Sequence, residues 1–222
     1  MTDLENATQS SAPTRAGRRR ARTRDALLAS AARLFAAQGV EATTIAQIAD
    51  GADIGYGSFY NHFRGLEEVA EVLAAESVRG ILAATEAIMA GVQDHRMLPC
   101  VGARVILRSF LRDAVVRWML ERPFLFIETF QRQAEPFMRR FETPGIEAGV
   151  LKPAAGHTTW IRTLPWILLS ELNCAINDPG GDPLAHEQTF ATVCLRLLGV
   201  DDDDVDALLT ESLSLVEAQL PR

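Results

Sequence analysis

Long apolar runs are missing from this chain. No stretch of 18 uncharged apolar residues occurs among its 222 residues, and the best candidate, 160–176, is interrupted by Arg162, Pro165 and Glu171. That excludes a membrane-spanning helix on hydropathy grounds, and no membrane partner is expected. The first 22 residues hold arginines but no apolar segment, so they do not read as a secretory signal. Cysteine is scarce. Cys100, Cys174 and Cys194 are odd in number and lack metal-ligand spacing, so they read as buried thiols in a reducing cytosol, with no metal or cofactor expected. Strand-like alternation and internal repeats are also absent. So are catalytic patterns: there is no Walker loop, no GxSxG elbow and no HExxH, His186-Glu187 lacks a second His, and Gly55-Tyr-Gly57 lacks a third Gly. No catalytic residue is expected.

What is present is charge of uneven distribution. The net charge of −7 discourages a nucleic-acid partner until it is divided. Residues 1–65 hold eight Arg against six acids, and residues 66–222 hold 14 basic against 23 acidic groups. Six arginines (15, 18, 19, 20, 22 and 24) fall within ten positions that contain no acid. This describes a basic tip on an acidic body. Residues 1–21 read as a flexible basic arm, since 8–17 is rich in Ser, Thr, Pro and Ala.

Helical periodicity runs through nearly all the rest, giving an all-α fold class. In the first helix Leu27, Ala31, Leu34 and Phe35 share a face, with Thr23 as N-cap and Gly39 past its end. Thr44 opens the second helix, with Gln47 completing a capping box. A turn through Asp53 and Ile54 leads to a third helix over 56–62. A long amphipathic helix follows over 66–92, long enough to join two domains. Further helices are expected over 99–122, 124–134, 136–148, 155–177, 184–198 and 203–220. Pro99, Pro123 and Pro136 are placed at helix starts, and Pro144 and Pro165 are expected to break or kink. The acidic run 201–204 reads as charge at the start of the last helix.

Two helices joined by a short turn, the second of them short, make the unit that lays a recognition helix in the major groove. At 100° per residue, Phe59 and Phe63 define the inward face of the short helix. Asn61 and Gly57 lie opposite, with Ser58, Tyr60 and Arg64 beside them. Asn and Ser can reach base edges, Tyr, His62 and Arg can hold phosphate, and Gly57 allows close backbone approach.

The residues Ala31-Ala-Arg-Leu-Phe35, Gly39, Thr44-Ile-Ala-Gln-Ile-Ala49 and Ser58-Phe-Tyr-Asn-His-Phe63 resemble the N-terminal domain of the tetracycline-repressor (TetR) family. The resemblance covers about a fifth of the chain. It implies an all-helical homodimer that binds a partly palindromic double-stranded DNA operator and is released by a small ligand. It also implies phosphate contacts for Tyr60 and His62, and one for Thr44 through its amide and hydroxyl. Three positions depart from the family pattern: Asp53 and Gly55 replace residues of its Gly-Val-Ser turn, and Leu66 stands where a Lys is common. Arg64 and the arginine arm are the candidates to hold the phosphate that such a Lys would hold. The division that follows is a basic arm (1–21), a helix-turn-helix domain (22–82) and an effector-binding and dimerisation domain (83–222).

Nine of the fifteen aromatic residues lie between positions 110 and 166. Phe110, Trp118, Phe130, Trp160 and Trp166 are the candidate walls of an effector pocket for a small apolar or amphipathic molecule. Arg104, Arg108, Arg112 and Glu128 are its candidate polar handles. The helices 155–177 and 184–198 are apolar over most of their circumference and so must be buried. Leu172, Ile176, Ala191, Leu195 and Leu198 are the candidate dimer seam. The reading is a cytoplasmic, ligand-released transcriptional repressor. The alternative is a DNA-binding regulator or architectural protein without a small-molecule effector, controlled by a protein partner.

Overall fold

The computed structural model describes residues 14–178 and 180–220, and the described residues form ten helices with no strand. The arginine-rich segment is helical from its start. Helix α1 runs Arg15–Gln38, capped by Thr14, whose hydroxyl accepts from the Gly17 amide. Thr23 is therefore an interior residue and not an N-cap, and the expected flexible arm is helical over its described part. Residues 1–13 of that arm lie outside the described residues. The correction has a local cause: the Thr-Arg-Ala-Gly start offers a side-chain acceptor, and the arginines and alanines after it are good helix formers.

Helices α2 (Ile45–Gly51) and α3 (Tyr56–Phe59) complete the three-helix head. Leu27, Ala31, Phe35, Ile48, Phe59 and Phe63 form its interior. Gly51 sets the approach of α1 to α2, because a Cβ there would meet the Ser30 hydroxyl at 2.3 Å. Helix α4 (Leu66–Met89) leaves the head and packs on α5 (Leu98–Arg112), α6 (Ala114–Leu120) and α7 (Pro123–Glu147). Helices α8 (His157–Asn177), α9 (Pro183–Leu197) and α10 (Asp202–Gln219) close the body around α5.

The single helix expected over 99–122 divides at Asp113, whose extended backbone and carboxylate cap α6 by accepting from the Val115 and Val116 amides at 2.9 Å. Conversely, α7 passes through Pro136 and Pro144, where a start and a break were expected. Both prolines are exposed, and the carbonyls they leave unpaired, four residues back, belong to the exposed Arg132 and Arg140, where water can take the bond. The acids of the 201–204 run sit in or beside the first turn of α10, where Asp204 receives Arg96 at 2.8 Å and Asp202 receives Arg196.

Helix α5 is buried almost all round, including Arg104 and Arg108. Arg108 binds Glu187 through two bonds of 2.8 and 2.6 Å and the Leu220 carbonyl at 2.6 Å. Arg104 donates to Ser212, Gln188 and the Leu209 carbonyl. These two arginines tie α5 to α9 and α10. Two buried cations sharing one carboxylate are held by hydrogen bonds to neutral acceptors, as a buried charge requires.

Candidate DNA interface and effector cavity

The head presents α3 as the sequence geometry requires. Phe59 and Phe63 are buried, while Gly57, Ser58, Tyr60, Asn61 and Arg64 are exposed and His62 is half-buried. Nothing lies within 4 Å of where a Cβ on Gly57 would stand, so the surface there is open. Tyr60 has a neighbour that sequence reasoning missed. Tyr56, one turn earlier and exposed, shares a 3.0 Å hydrogen bond between phenol oxygens with it, their rings edge to face at 5.7 Å. That bond raises the Tyr60 pKa above the ordinary phenol value. The i,i+4 spacing of two tyrosines was the available signal.

Thr44 is exposed at the start of α2, and its amide is engaged by the Gln47 side chain at 2.9 Å in the reciprocal capping box. Arg64 projects into solvent, 91% exposed, with its Nε 3.2 Å from Glu68. Leu66 packs against the core. Asp53 adopts a positive φ of 54°, the only such non-glycine residue among those described. Asp tolerates this left-handed turn better than most residues, which is how the chain makes the turn without the usual glycine.

Two of the arginines of α1 face the protein. Arg20 donates to the Asn61 carbonyl at 3.0 Å, and Arg24 donates to the His62 carbonyl at 2.9 Å while stacking 4.1 Å from the Phe63 ring centre. They hold the end of the recognition turn. Burial first, then these two cations, lower the His62 pKa below the usual histidine range. The imidazole is therefore biased toward its neutral form. Arg15, Arg18, Arg19 and Arg22 line an open groove on α1.

In the body, a small cavity of about 40 Å³ lies between α4, α5, α7, α8 and α9. Leu82 and Met89 of α4 form part of its wall, as do Phe130, Phe137, Phe141 and Trp160. Of the five aromatic candidates, the structure brings Phe130 and Trp160 to this cavity. Phe110 stands behind Phe130 in an edge-to-face cluster with Phe126. Trp118 packs at the junction of head and body beneath Arg122, 4.1 Å away, and Arg122 reaches Glu67 of α4 at 3.6 Å. Trp166 points outward, 47% exposed, against the exposed Phe124. The anticipated polar handles are elsewhere too: Arg104 and Arg108 belong to the α9–α10 network, Arg112 borders a separate groove with Arg108, and Glu128 pairs with Arg132 on the surface.

The polar group that does line the cavity is Glu142, which sequence reasoning passed over. It accepts from Trp160 Nε1 at 2.9 and 3.0 Å and lies 2.8 Å from His157 Nε2. Burial pushes its pKa up to about 7, against the lowering effect of Trp160.

The proposed seam also needs correction. Leu172, Ala191, Leu195 and Leu198 are buried inside the subunit and Ile176 packs against the same core, so none of the first four can form the outer face of α8 or α9. Apolar circumference was right for burial, but the burial is intramolecular. Cys174, expected to be buried, is exposed.

A helix-turn-helix head on an all-helical body with a small apolar cavity is the architecture of a DNA-binding regulator. The profile described as "Bacterial regulatory proteins, tetR family" matches residues 27–73. Over 192 residues the chain is 31% identical to the HTH-type transcriptional repressor KstR2 of Mycobacterium tuberculosis, spanning 79% of this chain and 91% of that protein. It belongs to the TetR family. The HTH-type transcriptional regulator TcmR of Streptomyces glaucescens is 43% identical over 70 residues, 31% of its length. Among solved structures, RolR in complex with resorcinol superposes with a TM-score of 0.76 at 24% identity, over 87% of this chain and 95% of that one. As a member of that family the protein is a DNA-binding transcriptional regulator, and the family is non-enzymatic. Among the described residues no helix is long and apolar enough to cross a membrane.

Proposed function

We propose that this cytoplasmic repressor binds a palindromic operator as a two-fold dimer and is released by an apolar or amphipathic molecule entering the α4–α9 cavity. The division into a head of about 22–82 and a body of 83–222 is part of the same reading, with residues 1–21 now split between an undescribed segment and the start of α1. Asn61 and Ser58 read base edges; Tyr60, His62 and Arg64 hold phosphates, with Thr44 exchanging Gln47 for a phosphate oxygen. Gly57 lets the backbone approach.

One observation carries the effector half: Leu82 and Met89, on the helix that enters the DNA head, are walls of the cavity. At about 40 Å³ the space holds a water or so, whereas a cavity that accepts benzene is nearer ~150 Å³. A ligand must therefore displace wall side chains, and methionine and leucine on α4 are free to yield. Moving α4 alters the separation of the two heads in a dimer, which two half-sites one helical turn apart hold to ~34–36 Å. RolR, sharing the fold, was solved with resorcinol, a molecule of the size such a cavity would take after opening. Equal affinity for both arrangements would shift nothing, so the ligand must favour the DNA-incompetent one.

Reciprocity supplies the experiment. A coupling that lowers operator affinity by about 5- to 150-fold must weaken ligand binding by the same factor when operator is present. A ligand seated at Met89 with one affinity in the presence and absence of operator would remove the cavity from induction.

A further inference from the structure

We propose that Glu142 is the polar anchor of the effector: it binds a hydroxyl on an otherwise apolar ligand and turns away ligands that carry a carboxylate. This rests on the cavity being the effector site. Among the described residues lining that cavity, Glu142 has the only charged side chain, and the rest of the wall is aliphatic, aromatic, thioether or thiol. The neighbouring polar hydrogen, Trp160 Nε1–H, is already given to Glu142. The carboxyl is 7% exposed and, among the described residues, has His157 within ion-pair distance and no arginine or lysine.

A carboxylate offers about four lone-pair sites. Trp160 takes one bifurcated bond across both oxygens, and His157 takes Oε2. Oε1 thus keeps an acceptor site, and the apolar cavity wall has nothing to fill it. A ligand hydroxyl fills it by donating. With its proton affinity raised to about 7 by burial, the group can also donate to the hydroxyl when protonated, so an alcohol or phenol suits both of its states. A ligand carboxylate suits the ionised group badly: it is an anion taken out of water and set against a second anion, with the cation it would need absent from the wall. The cavity is therefore selective for neutral, hydroxylated, flat or compact molecules over acids of the same shape.

The alternative is that Glu142 only fastens α7 to α8 through Trp160. Glu142→Gln keeps an acceptor for Trp160 and separates the two roles. The full-length chain, labelled with 13C at its methionine methyls, is titrated at pH 8 with toluene, 3-methylphenol and 3-methylbenzoate, following Met89 and Met138 in the cavity wall. In the wild type, 3-methylphenol should bind about tenfold more tightly than toluene, the worth of a hydrogen bond to a charged acceptor, and 3-methylbenzoate should not register. In Glu142→Gln, 3-methylbenzoate should gain at least about tenfold and the preference for 3-methylphenol should shrink. If toluene and 3-methylphenol bind equally, or if Glu142→Gln leaves the order of all three unchanged, the anchor is overturned while the cavity stands. If none of the three moves either methionine signal in either protein, the cavity reading falls with it.

Discussion

Asp53 supplies with a charged residue a turn that glycine would make without strain. Its φ of 54° costs a non-glycine residue up to ~1–2 kcal/mol, Asp paying less than most. Asp53→Gly should raise the urea midpoint by the equivalent of about 0.5–1 kcal/mol and, by removing a negative charge from the DNA side, tighten binding to any duplex. An unchanged midpoint would mean that local hydrogen bonding already cancels the strain. For the contacts themselves, Tyr60→Phe should weaken operator and random duplex alike, whereas Asn61→Ala should cost ~1–3 kcal/mol on the operator alone. Gel-shift titrations on both duplexes decide it, and equal losses for Asn61→Ala would take it out of base reading. At this scale the inward turn of Phe59 and Phe63 was legible because helical geometry fixes it from spacing. Glu142 was not, because its partner Trp160 lies on the next helix and nothing in a one-dimensional pattern announces that pairing.

Among the elements, α1 differs most from expectation. Taken at 3.6 residues per turn, Arg15, Arg18, Arg19 and Arg22 fall within about 100° of arc, with Arg20 and Arg24 on another side. The first four form a cationic stripe on an exposed helix; the other two are bonded to the recognition turn. Replacing the four with alanine should reduce the steepness of log K against log salt by ~0.9 for each phosphate no longer neutralised. Arg24→Ala should instead lower the melting temperature of the head. A slope unaltered in the fourfold variant would leave the stripe without a DNA role. Sequence reasoning found the arginines but could not divide them, since the division depends on where α3 ends in space. The breaks were misread for a related reason: Asp113 interrupts a helix because its carboxylate has two amides to cap, and Pro136 and Pro144 do not because their side of α7 is wet.

For the whole molecule, the inner and outer faces of α8 and α9 have different duties. Leu172 and Leu195 build the subunit core, while Trp166, Phe124 and Leu197 remain exposed on the outside. Trp166 meets Phe124 edge to face, their ring centres 6.2 Å apart, and this exposed apolar pair is suited to the second subunit. Trp166→Arg should yield a folded monomer, seen as halved mass in light scattering with an unchanged far-ultraviolet spectrum. Leu172→Asp should unfold the subunit, because it buries an unpaired charge. A dimeric Trp166→Arg protein would move the interface to another face. The all-helical class and the position of the head were readable from periodicity and capping. Which face of an apolar helix turns toward its own core was not, because both kinds of burial write the same composition.

The small volume of the cavity has a consequence for time. A space of about 40 Å³ is smaller than the ~150 Å³ that seats a benzene ring, so the wall must widen, on the microsecond-to-millisecond scale of helix movements or more slowly. Stopped-flow traces of ligand binding should therefore show an observed rate that rises with concentration and then levels at the opening rate. A rate that stays linear to saturating ligand would show an entrance already open. With a plateau, the delay before a promoter is freed would be set by the protein's own breathing, however much inducer the cell contains.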